Sequence, residues 1–423
     1  MKFIRAGLLC LLAFSVLAFG SVEVWSQSIL EVGASLLFIS WAVILLFDPG
    51  ARIEWNPLNW PLLGWLAIGL GQLLLHKTSY SFLTRVELLR LGAFVVLFFL
   101  FTQAFRGRRS LTTVAWFLII LCFSISLLGI VQYFAGSETT IYGFRTLTGG
   151  GIPFGPFVNR NHFAGFVELA LPIGLALMIF RGLRRDVFPL AALMTIVPVS
   201  ALLLSGSRGG IVSFAFEVAV LALLARYRKG PQGTRLVALA IVGLAAMALI
   251  VWLGAGKALE RFSGYHSGDV TLSRRATMIH GGMHIFFDHP VEGAGLGSLV
   301  AVYPRYETAY DGKLVDHVHD DYVELLAETG ILGAVCGLAF LWVLFREARR
   351  RFISEQGHFS RAIHAAAIAA VCGLLLHSFV DFNLHIPSNA LLFLLLTHIA
   401  CTAPLPSEVA MPRQRKRIRD AGE

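Results

Sequence analysis

The run "DHVHDDYVELLAETG", residues 316–330, gathers His317 and His319 with Asp316, Asp320, Asp321, Glu324 and Glu328. Imidazole has the free pKa best suited to proton transfer near neutrality. His317 and His319 alternate, so on an extended segment they point the same way, as a proton acceptor and its neighbour would. The carboxylates have a second use. Asp321 and Glu324 have the D-x-x-E spacing of a capping box, with Asp321 capping a helix that follows, and Glu324 and Glu328 share one face of that helix. Two further readings compete: solvated surface histidines, and an H-x-H metal site with acids, for which no third ligand follows at diagnostic spacing.

Arginines form the second set. "SGSRGG" at 205–210 places Arg208 in a turn too short for casual solvent decoration. Glycines there permit close backbone approach to a ligand, and a guanidinium grips phosphate bidentately; the competing reading is an arginine that snorkels to lipid headgroups. "GPFVNRNHFAGF" at 155–166 combines Arg160 with Asn159, Asn161 and His162, "TLSRRATMIHGG" at 271–282 holds Arg274 and Arg275, and "VYPRYE" at 302–307 holds Arg305. Singly, each cluster reads as ordinary solvated loop. Together they suit a ligand with a lipid tail and a phosphate-containing head. "DHPVEGAGLGS" at 288–298 reads as a turn rather than a nucleotide loop, because no strand and βαβ frame precede it. "HSFVDFNLHIPSN" at 377–389 brings His377, Asp381 and His385 close in sequence, where helix capping and interfacial packing are expected.

These residues must be carried by membrane helices. Hydrophobic residues make up 56% of the chain and charged ones only 14%, with a mean hydropathy of +0.71, against about a quarter charged in a soluble domain. About twelve segments are long and apolar enough to span a bilayer, near 6–22, 28–47, 59–75, 88–105, 111–133, 163–180, 187–205, 209–225, 236–254, 326–345, 362–379 and 386–403. The first has Lys2 and Arg5 ahead of it but no small-residue cleavage site after it, so it reads as a retained helix. Lys and Arg concentrate in alternate loops, including 106–109, 181–185, 226–235 and 346–351, and in the "RQRKRIR" tail. By the positive-inside rule both termini are cytoplasmic and the motifs lie on the opposite face. The expected fold is an all-α polytopic membrane protein. Residues 1–254 form helices one to nine, 255–325 a large outer loop carrying the motifs, 326–405 helices ten to twelve, and 406–423 a basic cytoplasmic tail. The net charge of +9 is scattered in short clusters between apolar segments, which argues against a nucleic-acid partner. The five cysteines all fall in apolar runs and read as small packing residues.

The ordered set G-P-F-V-N-R-N-H-F-A-G, S-R-G-G, S-R-R ahead of D-H-P-x-x-G-x-G-x-G, and H-x-H-D-D-Y-x-E-L-L-A-E-x-G-x-x-G resembles the O-antigen ligase and polymerase superfamily of bacterial inner-membrane glycosyltransferases. The resemblance spans roughly 150 to 390. It implies transfer of a glycan from undecaprenyl diphosphate to a hydroxyl acceptor, a lipid A-core or a growing polysaccharide, at the periplasmic face, with membrane lipids as surroundings and with no metal or nucleotide cofactor. It also implies that His319 is the base, with His317 the second choice. Arg208, Arg274 or Arg275, Arg160 and Arg305 would bind the donor diphosphate, and Asp320, Asp321, Tyr322, Glu324 and Asn161 would support. Asp320 stands where the family usually has asparagine, and His280 where an aromatic is common. A transporter or flippase for lipid-linked sugars is the main rival, because Glu217 and His398 lie inside expected helices; a purely structural assembly partner is the other.

Overall fold

The computed structural model describes residues 1–48, 52–136, 140–147, 152–227, 272–308, 310, 312–355 and 357–402. The described residues are 76% helical, with the main helices α1 (Lys2–Leu17), α2 (Val24–Leu46), α3 (Asn59–Leu74), α4 (Ser81–Ala104), α5 (Arg108–Phe134), α6 (Arg160–Ile179), α7 (Phe188–Ser205), α8 (Arg208–Tyr227), α9 (Leu272–Asp288), α10 (Asp321–Ser354), α11 (His358–His377) and α12 (Pro387–Cys401). The one sheet among the described residues is a two-residue hairpin, Thr140–Ile141 against Arg145–Thr146. It is tied to the α1–α2 turn by Tyr142 Oη, which donates to the Leu17 carbonyl at 2.7 Å, and by the Arg145–Glu23 ion pair.

Among the described residues, seven helices are long and apolar enough to cross a membrane: α2, α5, α6, α7, α8, α10 and α11. The sequence reading gave about twelve, and the difference has physical causes. Helices α1 and α3 have 16 residues and α12 has 15, short for about 30 Å of hydrocarbon at 1.5 Å per residue. Helix α4 carries Arg85, Glu87 and Arg90 in its first turns. The expected ninth span, 236–254, the first part of the outer loop, 255–271, and the basic tail, 406–423, lie outside the described residues. The described part of that loop is not simply polar coil, since α9 runs through it and packs against α10.

Contacts gather several of the described loops at two ends of the helices. At one end Arg5 donates to the Ala104 carbonyl at 2.8 Å, Arg106 pairs with Glu54 at 2.6 Å, the Arg108 guanidinium lies over Phe359, and His358 bonds the Phe180 carbonyl at 3.1 Å. At the other end Ser79 N donates to the Ala294 carbonyl at 2.8 Å and Asp321 N to the Ser378 carbonyl at 3.0 Å. Helix α6 is the hub: nearly every residue in it is buried, and it packs against α5, α7, α8, α11 and α12.

Helix α10 begins five residues before the expected 326 and is broken at Gly330, which sits at φ 60° and ψ −155°. A break inside a membrane helix persists only where protein satisfies the freed backbone groups. Here the 290–296 segment does so: Ala294 N donates to the Ala327 carbonyl at 2.8 Å, Gly295 N to that of Glu328 at 3.1 Å, and Ile331 N to that of Pro290 at 2.9 Å. The Gln72 amide completes the seal, donating to the Glu292 and Glu328 carbonyls and accepting from Leu296 N. A Cβ on Gly293 would collide with the Glu328 backbone. "VEGAGLG" is therefore a wedge fitted to the broken helix, which accounts for its glycines without a nucleotide.

Candidate active site

The α10 N-terminus, the α11–α12 turn and the first turn of α6 meet at the end of the molecule opposite the basic loops. Asp320, not Asp321, caps α10: its Oδ1 accepts from Tyr322 N at 2.9 Å and Val323 N at 3.0 Å. The backbone turns one residue earlier than the D-x-x-E spacing suggests, which frees Asp321 for tertiary contacts. Asp321 Oδ2 accepts from Ser378 Oγ at 2.7 Å and Leu384 N at 3.3 Å, and its Oδ1 faces His385 Nδ1 at 2.8 Å. Tyr322 Oη donates to the Leu375 carbonyl at 2.6 Å, so the capped helix is stitched to both sides of the turn.

His317 and His319 contact different acids. His317 Nδ1 lies 2.6 Å from Glu324 Oε1, and Val318 N donates to Glu324 Oε2 at 3.2 Å. His319 Nδ1 lies 3.2 Å from Asp381 Oδ1, which also accepts from Phe382 N at 2.9 Å. The segment is not uniformly extended, because His319 has φ 57°, in the left-handed region that a non-glycine residue adopts at a cost and that recurs at functional sites. Both rings nonetheless reach Phe382. His317 stacks on it at 4.3 Å, while His319 and His162 meet it edge-on, each at 4.8 Å.

Burial pulls the His317 imidazole down, but the Glu324 carboxylate outweighs it and raises the group above its ordinary value. Burial likewise works against the His385 cation, yet Glu324 and Asp321 raise that imidazole to about 10. Asp321, Glu324, His317 and His385 thus form a compensated quartet of two carboxylates and two cations that fastens α10 to the α11–α12 turn. His317, Glu324 and His385 bring ligand atoms within 4.8 Å of one another, the third ligand that sequence spacing did not reveal for a metal reading. Both nitrogens of His385 face carboxylate oxygens, at 2.8 Å and 3.3 Å. A carboxylate only accepts, so both nitrogens carry protons and His385 in this arrangement is a cation, not a ligand.

A pH prediction follows from the quartet. His385 is raised from 6.5 to about 10 on folding, so its stabilisation is complete below about 6.5 and is lost as pH rises through about 10. The melting-temperature gap between wild type and His385→Gln in detergent is expected to narrow steadily from pH 7 to pH 10. A gap that stays constant or widens contradicts the cationic assignment.

Asp381 is the acid of the other pair. Burial alone would push its carboxyl up. The hydrogen bond from His319 and the positive charge near His319, His162 and Arg275 outweigh burial and hold it well below the usual carboxylate range. Being an ionised acceptor, it requires Nδ1 of His319 to carry a proton, and in the neutral ring that tautomer leaves Nε2 as the acceptor. Sequence reading gave Asp381 and His385 only capping and packing roles. Nothing local marks Asp381 as the partner of a histidine 62 residues away.

The arginines divide. Arg275, on α9, donates to the Val380 carbonyl at 2.5 Å, one residue before Asp381. Arg274, next to it, lies near enough to Tyr303 for its charge to act on that phenol. Arg305 ends the short turn Tyr303–Arg305 and is exposed, away from the histidine rings. Arg160 opens α6, is buried, and reaches the Ser205 carbonyl at 3.4 Å, beside the turn that carries Arg208. Asn159 caps α6 by accepting from Asn161 N at 2.9 Å, so Asn161 contributes through its backbone. The glycines next to Arg208 serve helix packing rather than ligand approach: a Cβ on Gly209 would lie 2.6 Å from His377 Nε2, and one on Gly210 2.7 Å from Ala164 Cβ.

Apolar spanning helices with imidazole, carboxylate and guanidinium groups concentrated at one end define a multi-pass membrane protein with a polar reaction site. Residues 190–338 match the family model described as O-Antigen ligase, Wzy_C, a match that supports the resemblance to the O-antigen ligase superfamily and glycosyl transfer of the ligase or polymerase type. The matched run carries Arg208, Arg274, Arg275, Arg305, His317 and His319, while Arg160, His162, Asp381 and His385 lie outside it. Among curated proteins nothing matches the chain.

Proposed function

We propose that the protein transfers a glycan from undecaprenyl diphosphate to a hydroxyl acceptor, a lipid A-core or a growing polysaccharide, at the periplasmic face of the inner membrane. The observation that carries this is the His319–Asp381 pair with Arg275 bonded at the adjoining residue. His319 Nε2 removes the acceptor proton as its oxygen attacks the anomeric carbon. The bond from that carbon to the diphosphate oxygen breaks, and its electron pair leaves with the diphosphate. Inversion follows from a single displacement. Arg275, Arg208 and Arg160 meet the charge that builds on the leaving group, the type of electrostatic stabilisation worth most in a dry site. His317 is a charge in the quartet rather than the base, and Asp320, Asp321, Tyr322 and Glu324 hold the scaffold. Arginine supplies the positive charge in this scheme, so transfer is expected to persist in EDTA.

Reconstituted protein with an undecaprenyl-diphosphate glycan and mixed acceptors tests the reading. Arg275→Ala is expected to lower transfer by about 10²–10³-fold, while Arg274→Ala stays within about threefold of wild type, the size of a surface substitution. Equal losses, or the larger loss at Arg274, would reverse the assignment. The transporter reading draws on Glu168 and Glu217, fully buried in α6 and α8. His398 no longer supports it, because its Nε2 bonds the Phe105 carbonyl at 3.0 Å near the basic end. Vesicles that move lipid-linked sugar without releasing diphosphate would favour transport.

A further inference from the structure

His162 is used by nothing described above. It is 5% exposed, and neither ring nitrogen has a hydrogen-bond partner. Its Nε2 lies 3.9 Å from Asp381 Oδ1, too far for a hydrogen bond. Asp381 is fully buried, and its second oxygen, Oδ2, has no partner either. Buried polar atoms are nearly always satisfied, by protein, water or ligand, and leaving them bare costs more than a made bond returns. The ring is also held firmly. Its backbone carbonyl accepts from Asn389 Nδ2 at 3.0 Å, Asn389 Nδ2 also donates to Asn383 Oδ1 at 3.0 Å, and the ring edge packs on Phe382.

The donor and acceptor pattern selects the ligand. Asp381 Oδ2 can only accept, so the bound group must donate a proton. An imidazole offers a donor at one nitrogen and, when neutral, an acceptor at the other, so the group must also tolerate a donor. A phosphate oxygen accepts only and would meet the Asp381 charge. A hydroxyl both donates and accepts. We propose that His162 and Asp381 Oδ2 form a hydroxyl-binding subsite that holds the acceptor's sugar hydroxyl beside His319. The inference rests on the transferase reading, and it places the acceptor at the first turn of α6, two residues from Arg160 on the diphosphate side.

Full-length His162→Gln and His162→Ala are compared with wild type, titrating acceptor at saturating undecaprenyl-diphosphate glycan and then the reverse. The acceptor KM is expected to rise about tenfold, the size of one lost hydrogen bond, while the donor KM stays within about twofold and glutamine retains more acceptor affinity than alanine. An unchanged acceptor KM means a water-filled pocket only, and a raised donor KM means a donor-side role; either overturns the proposal. Delipidated core oligosaccharide supplies a readout independent of turnover, because it should raise the melting temperature of wild type and not of His162→Ala. If wild type transfers nothing but this His162-dependent shift persists, the transferase reading fails and the subsite stands. If wild type transfers but shows neither the KM effect nor the shift, the subsite fails alone.

Discussion

His319→Ala is expected to lower kcat by about 10²–10⁴-fold, the usual contribution of a positioned general base, while the affinity for the lipid-linked donor is kept. The ring sits at the meeting point of α10, the α11–α12 turn and α6, and its Nδ1 is held 3.2 Å from Asp381. Truncation removes the proton acceptor without touching the arginines. Partial recovery by added imidazole would separate lost chemistry from lost fold, because a cavity next to Asp381 can take the free ring. His317→Ala serves as the comparison: it breaks the quartet with Glu324, so its main effect is expected on stability, with a smaller fall in kcat. If His317→Ala is the more damaging for kcat at equal folded fraction, the two roles are exchanged. If His319→Ala transfers normally, the base assignment is wrong.

Asp381→Asn is the second large effect. The carboxylate forces the proton onto His319 Nδ1; an amide turned to donate from Nδ2 would place the proton on Nε2, where it blocks the lone pair. Loss of the correct tautomer costs about 10⁴-fold in the Ser-His-Asp hydrolases, with geometry otherwise intact. A loss of about 10²–10⁴-fold in kcat is expected here. The acid arm of the pH–rate profile should move as well, because the variant no longer stabilises the imidazolium formed when His319 takes the proton. A merely structural role for Asp381 would lower the amount of folded enzyme and leave that profile in place. A profile unchanged in the folded variant would therefore count against the pairing, whatever the loss of yield.

Composition and segment length made an all-α membrane protein legible, because apolar runs and the charge of short loops report the bilayer directly. The count of twelve is not confirmed among the described residues, where α1, α3 and α12 are apolar but only 16, 16 and 15 residues long. The motifs at 205–210, 271–282 and 316–330 were visible as chemistry, since histidine and arginine are costly in so apolar a chain. Their meaning was less visible. Asp321 looked like a cap and became a tertiary anchor for Ser378 and His385, while Asp320 took the cap. The glycines of "SGSRGG" looked like a ligand loop and instead allow helix packing, while those of "VEGAGLG", read as a turn, fit against a broken helix.

By itself the sequence carried the membrane class, the sidedness expected of its loops, the resemblance to a family, and which residue types had to matter. Those are properties of composition, order and spacing along the chain. Only the tertiary structure decided which carboxylate each histidine faces, that Arg275 bonds the Val380 carbonyl, and that His162 and Asp381 stand together. The reason is distance along the chain: Asp381 is 62 residues from His319, and the ring that three histidines share, Phe382, is an unremarked residue in a turn. Partners so far apart are chosen by the packing of α6, α10 and α11, which no local periodicity records.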